Sequence, residues 1–136
     1  MNGNYINFSL EELEDGKILS VPNDFSYLVR TSNELRKKKL IDFEIEDLRL
    51  MIGQNISLDY LIPLALEKLR KDIMAEGNYY EGDLLNSVLG VEDTFWKQHE
   101  KLRTKVKELI SANIQYIESF KTAREFKRHL SIFLDS

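Results

Sequence analysis

Apolar residues recur along most of the chain at the three- and four-residue spacing of helices. The clearest stripe is Leu58, Leu61, Ile62, Ala65, Leu66 and Leu69, which predicts a helix opened by Ser57 as its cap. Pro63 lies inside that stripe and removes one backbone donor, so a kink or a late helix start is expected there. Before it, Ile45, Leu48, Met51 and Ile52 share one face of a helix that begins at Asp42 or Phe43 and ends near Gly53. After it, Asp83 stands near the entry of a short helix carrying Leu84, Leu85, Val88 and Leu89. The last third reads as a helix over residues 92–98, then a long one through Leu102, Val106, Leu109, Ile110, Ile114 and Ile117. A final helix carries Ala123, Phe126, Leu130 and Phe133.

The N-terminal part is punctuated in the same way. Ser9 and Glu12 have the spacing of a capping box, opening a turn through Leu10 and Leu13 that Gly16 stops. Asp24 is placed to cap a helix over residues 25–37 that buries Phe25, Leu28, Val29 and Leu35. The run Arg36-Lys37-Lys38-Lys39 then falls at a helix C-terminus, where the dipole favours cations. Residues 76–82 form the main irregular loop, with Gly77, Gly82 and the pair Tyr79-Tyr80. Alternating apolar runs are short and no hairpin signal separates them, so strands are not expected. The expectation is a single all-α domain over residues 1–136, a compact bundle of six to eight helices.

Composition narrows the functional classes. The chain has 136 residues, 43% of them hydrophobic and 31% charged, as in an ordinary soluble globular domain large enough to bury its own core. It has no cysteine, which excludes disulfides, thiolate metal sites and a cysteine nucleophile, and suits a reducing cytoplasm. The N-terminal residues show neither a basic start nor an apolar run, so no signal peptide is expected, and no stretch approaches the roughly 20 apolar residues of a membrane span. The net charge of -4 is uneven: residues 1–96 carry 10 Lys+Arg against 18 Asp+Glu, and residues 97–136 carry 9 against 5. An acidic surface of that size repels phosphates and suits a basic protein partner, although solvated helix faces would give the same composition.

Known catalytic constellations are missing. His99 and His129 are the only histidines, and Arg103 stands where a His-Glu-x-x-His motif would need its second histidine. A zinc site needs at least three protein ligands, so both histidines read as structural or solvent-facing. Gly77 and Gly82 have the spacing of a phosphate loop, but Asp83-Leu84 follows where Lys-Ser/Thr is required. Glu44, Glu46 and Asp47 cluster at a helix start, and Glu11, Glu12, Glu14 and Asp15 form a second acidic group. Both read as helix-start charges. Met51 and Met74 read as core fillers, Trp96 and Phe95 as core aromatics. No catalytic residue, cofactor or metal is expected. Tyr79 and Tyr80, beside Glu76, Glu81 and Asp83, suit a protein-binding edge, with one tyrosine anchoring the loop to the core.

Several pieces combine into a family pattern. They are Leu35-Arg36-Lys37, then Glu46-Asp47-Leu48-Arg49-Leu50-Met51-Ile52-Gly53 running on to Leu66, then Ala75-Glu76-Gly77-Asn78-Tyr79-Tyr80-Glu81-Gly82-Asp83-Leu84-Leu85, and finally Trp96. In this order and spacing, over residues 27–96, the chain resembles the immunity proteins of bacterial contact-dependent growth inhibition (CDI) systems. Family members often carry Asp where Asn78 stands and Pro where Glu81 stands. The resemblance implies a cytoplasmic, non-enzymatic protein that binds the C-terminal domain of a cognate toxin, a basic nuclease and foremost a ribonuclease, and occludes its active site. It implies neither direct nucleic-acid binding nor a membrane. The expected partner-binding residues are Glu46, Asp47, Glu76, Tyr79, Tyr80, Glu81 and Asp83, with Glu11, Glu12 and Glu14 as a second patch. The residues themselves leave two rivals open: a generic helical adaptor, and a nucleic-acid binder using the basic residues of 97–107 and 121–128.

Overall fold

In the computed structural model, which describes residues 3–14 and 27–136, nine α-helices and two 3-10 turns follow one another, and no strand forms among the described residues. A 3-10 turn over Gly3–Asn7 leads into α1 (Leu10–Leu13), and α2 spans Tyr27–Leu35. After a 3-10 turn at Leu40–Asp42 come α3 (Ile45–Gly53) and the 14-residue α4 (Leu58–Lys71). Beyond the 76–82 loop lie α5 (Asp83–Leu89), α6 (Asp93–Gln98), α7 (Glu100–Ala112), α8 (Ile114–Glu118) and α9 (Arg124–Asp135).

The apolar stripes determine how these helices meet. Leu48, Met51 and Ile52 of α3, Leu61, Ile62, Ala65 and Leu69 of α4, and Leu84, Leu85 and Val88 of α5 are all buried. They join one apolar cluster that runs from Leu10 to Phe133. α5 lies chiefly against α3, and also touches α4 and α9. Deleting one such leucine typically costs about 2–5 kcal/mol, because a cavity adds to the lost transfer energy. Met51, Met74, Phe95 and Trp96 are buried in this cluster, as expected.

Local signals held unevenly. The capping box is present: Glu12 N–H donates to the Ser9 hydroxyl at 3.2 Å, and Ser9 N–H donates to the Glu12 carboxylate at 3.1 Å. Ser57 does precede α4, but its backbone is left-handed (φ 51) and its hydroxyl makes no bond to the first turn. The hydroxyl instead donates to Glu14 at 3.1 Å, because α1 comes close enough to claim it. α4 starts at Leu58 and passes through Pro63, so the late start is not seen. Among the described residues of the apolar set expected in α2, Leu35 is buried, Val29 is half-buried and Leu28 is exposed. Gly16, Asp24 and Phe25 lie outside the described residues.

The basic run follows the last residue of α2 rather than ending it. Opposite carboxylates hold it: Arg36 is buried against Glu14 at 2.6 Å, and Lys38 meets Asp47 at 2.8 Å. The long helix expected through Ile117 breaks at Asn113, whose side-chain amide donates to Leu109 O at 2.9 Å and so competes with helical continuation. That break lifts the helix count above the expected six to eight.

Candidate functional site

The loop over residues 76–82 is built on carboxylates. Every backbone N–H from Gly77 to Tyr80 donates to one. Gly77 N–H donates to Asp83 Oδ1 at 2.6 Å, and those of Tyr79 and Tyr80 to Asp83 Oδ2 at 3.0 and 3.4 Å. Asn78 N–H donates to Glu46 Oε1 at 2.8 Å. Asp83 is 3% exposed, so its charge is stabilised by these three donors rather than by water. The turn closes through Gly82, whose φ of 91° is a left-handed conformation open to glycine, and Gly82 N–H donates to Met74 O at 3.0 Å.

Glu46 has a second task. Arg49 grips it with both Nε and Nη2 at 2.6 Å, a bidentate pair one helical turn along α3. This pairing, aided by the Asn78 N–H and opposed by desolvation, holds the Glu46 carboxyl below its ordinary range and raises Arg49 above its own. The Arg49 guanidinium in turn lies 4.5 Å from the centre of the Tyr79 ring, a cation–π contact. Tyr79 is nevertheless 69% exposed and Tyr80 44%. Neither tyrosine is the buried anchor expected from the sequence: the carboxylates pin the loop, so the rings are left for the surface.

At the mouth of the loop Glu76 and Glu81 face each other in an isolated antiparallel bridge, and both are exposed. Residues directly opposed in such a pair carry their side chains on the same face about 5 Å apart, where like charges repel. The structure therefore brings Glu46, Glu76, Tyr79, Tyr80, Glu81 and Asp83 together and divides their roles. Glu76, Tyr79, Tyr80 and Glu81 are presented outward, whereas Asp83 is an internal strut and cannot itself face a partner. This corrects its expected place among the contact residues.

The remaining expected residues have other surroundings. Asp47 accepts Glu44 N–H at 2.9 Å and pairs with Lys38. Glu12 completes the capping box, and Glu14 is engaged by Arg36 and Ser57. Glu11 is exposed on α1. Arg49 was not singled out from the sequence, although its spacing of three from Glu46 was a usable signal. Asn86 and His129 were missed as partners of the loop: Asn86 Nδ2 donates to the Tyr80 hydroxyl at 2.8 Å, and His129 Nδ1 lies 2.9 Å from Asn86 Oδ1. No local pattern foretells a contact between residues 43 apart.

His99 is a clamp at the α6–α7 junction. Its ring stacks on Phe95 at 4.1 Å, with Nδ1 2.8 Å from Phe95 O and Nε2 2.9 Å from Asp59. Among the described residues no three His, Asp or Glu side chains gather as a metal site would require. No described helix is long and apolar enough to cross a membrane.

A family model described as CDI immunity proteins matches residues 12–119, most of the chain. The chain belongs to this family. No curated protein and no solved structure matches it. Membership gives the CDI immunity protein a cognate toxin protein as its partner and neutralisation of that toxin as its role. The match contains the 76–82 loop and every helix from α2 to α8.

Proposed function

We propose that the protein neutralises a basic nuclease domain, a ribonuclease, at the C-terminus of its cognate toxin by covering the active-site groove with the face that carries the 76–82 loop. The observation that carries this reading is the loop itself. Two exposed tyrosines stand between two exposed glutamates, on a backbone whose four successive N–H groups are held by Asp83 and Glu46. A surface rigid before binding loses little conformational entropy on docking, and tyrosine supplies area with a hydrogen-bonding tip. A nuclease groove must be basic to hold phosphates. Glu76 and Glu81, which repel each other in the free protein, gain a cationic neighbour there. The excess of acidic residues over 1–96 attracts the same partner at longer range.

In this reading the protein is not an enzyme. It acts in the cytoplasm by one-to-one binding, touches neither membrane nor nucleic acid, and Glu11 on α1 is a second, outlying contact. The test uses the C-terminal domain of the cognate toxin, with binding kinetics, nuclease assay and protection of toxin-expressing cells. Glu76→Lys and Glu81→Lys should slow association and weaken protection. If both leave rate constants and protection unchanged, the interface lies elsewhere, first on α7 and α9. Bulk RNA should not bind in a salt-sensitive manner, as it would to a phosphate-binding surface.

A further inference from the structure

The Tyr80 hydroxyl ends a hydrogen-bonded chain that crosses three elements. Asn86 Nδ2 has only hydrogens to offer, and it donates to the phenolic oxygen at 2.8 Å. The other end of the same amide, Oδ1, faces His129 Nδ1 at 2.9 Å, and His129 Nε2 lies 3.8 Å from Glu125 on the preceding turn of α9. An imidazole N–H donating to Oδ1 holds the amide in the orientation that points its NH2 at Tyr80. The phenol thus accepts on its inner side. Its single hydrogen is left for the outer side, and the residue is 44% exposed.

We propose that the Tyr80 hydroxyl is a hydrogen-bond donor of fixed polarity that reads a neutral carbonyl oxygen on the toxin domain, with Asn86 and His129 as the residues that set its direction. This rests on the 76–82 loop being the toxin-facing surface. The acceptor is neutral because the same loop carries the exposed Glu76 and Glu81, and the Asp83 carboxylate holds the backbone N–H of Tyr80, so an approaching carboxylate is repelled. A fixed donor discriminates between partners. A cognate surface meets it, whereas a surface without an acceptor there leaves a desolvated hydroxyl unpaired, which is costly.

Two measurements test this. In the free protein, one side-chain amide proton of Asn86 should be shifted and protected from exchange in NMR spectra, and Tyr80→Phe should abolish both effects. An Asn86 amide indifferent to Tyr80→Phe overturns the proposal. In the complex with the C-terminal domain of the cognate toxin, Tyr80→Phe should speed dissociation about tenfold, by an amount independent of salt. Asn86→Asp offers only acceptors, so it draws the phenolic hydrogen inward. It should speed dissociation to the same degree, and the double variant should be no worse than either single one. Wild-type dissociation in Asn86→Asp means that the chain has the opposite polarity and the proposal fails. A Tyr80→Phe loss that shrinks with salt assigns a carboxylate and overturns the neutral acceptor. If Glu76→Lys and Glu81→Lys slow association while Tyr80→Phe and Asn86→Asp change nothing, the loop interface stands and the directed donor is wrong. If none of the four has an effect, both readings fall.

Discussion

Asp83, the first residue of α5, accepts the backbone N–H of Gly77 at 2.6 Å and so folds the loop back over the start of its own helix. The approach is close enough that a Cβ on Gly77 would come within 2.6 Å of Glu46 Oε1 and 3.1 Å of Asp83 Oδ2. Both carboxylates are tied down, Glu46 by Arg49 and Asn78, Asp83 by three backbone donors, so neither yields freely. Gly77→Ala should therefore destabilise the protein by about 1 kcal/mol. Asp83→Ala, which orphans three loop donors, should cost about 1–3 kcal/mol. Chemical denaturation measures the cost, and hydrogen exchange at Gly77, Tyr79 and Tyr80 should rise in both variants. Unchanged exchange at those amides would show that the carboxylate does not hold the loop.

Glu76 and Glu81 should separate stability from binding. Replacing either by Lys turns a like-charged bridge into an opposite-charged one and should stabilise the free protein slightly, by about 0.2–1 kcal/mol. The same substitution should slow capture of the toxin domain. Thermal unfolding and association kinetics, measured on the same samples, should move in opposite directions. A fall in both would show misfolding of the loop instead.

The Glu46–Arg49 pair sets a pH dependence. The folded carboxyl is held below its ordinary value of 4.5, with the Arg49 hydrogen bonds as the main cause. Its stabilising contribution is therefore fully present above that value, and it is lost as pH falls through the lowered folded value. Around neutral pH this contribution is complete, so stability should not vary with pH through this group. Below about pH 4.5 the wild type should lose stability more steeply than Glu46→Gln, and exchange at Asn78 should rise in the same window. Parallel acid curves for the two proteins would exclude the pair as the cause.

The two lysine/arginine contacts made by the basic run should differ in strength. Arg36 keeps 7% of its side chain exposed against Glu14, whereas Lys38 keeps 34% exposed against Asp47. Arg36→Ala leaves the partly buried Glu14 without this partner and should cost about 2 kcal/mol or more. Lys38→Ala breaks a half-exposed pair and should cost about 1 kcal/mol or less. Equal losses in denaturant melts would contradict this ranking.

The chain's periodicity determined by itself that it is helical, where the stripe of α4 lies, and that Ser9 and Glu12 form a cap. The order of the blocks from Leu35 to Trp96 was enough to place it in its family. These features are legible because helix faces and caps are made between residues three or four apart. What only the tertiary structure decided is the fate of individual polar groups. Asp83 looks like any acidic residue at a helix start, yet it is buried because the loop doubles back to give it three donors. With that carboxylate as the strut, Tyr79 and Tyr80 no longer need to anchor the loop and stand exposed. Ser57 caps Glu14 rather than its own helix, and His129 orients Asn86, because segments 43 residues apart in the chain meet in space. A charge or hydroxyl goes to whichever strong partner packing brings within about 3 Å, and that choice is made by the whole fold rather than by neighbours in sequence.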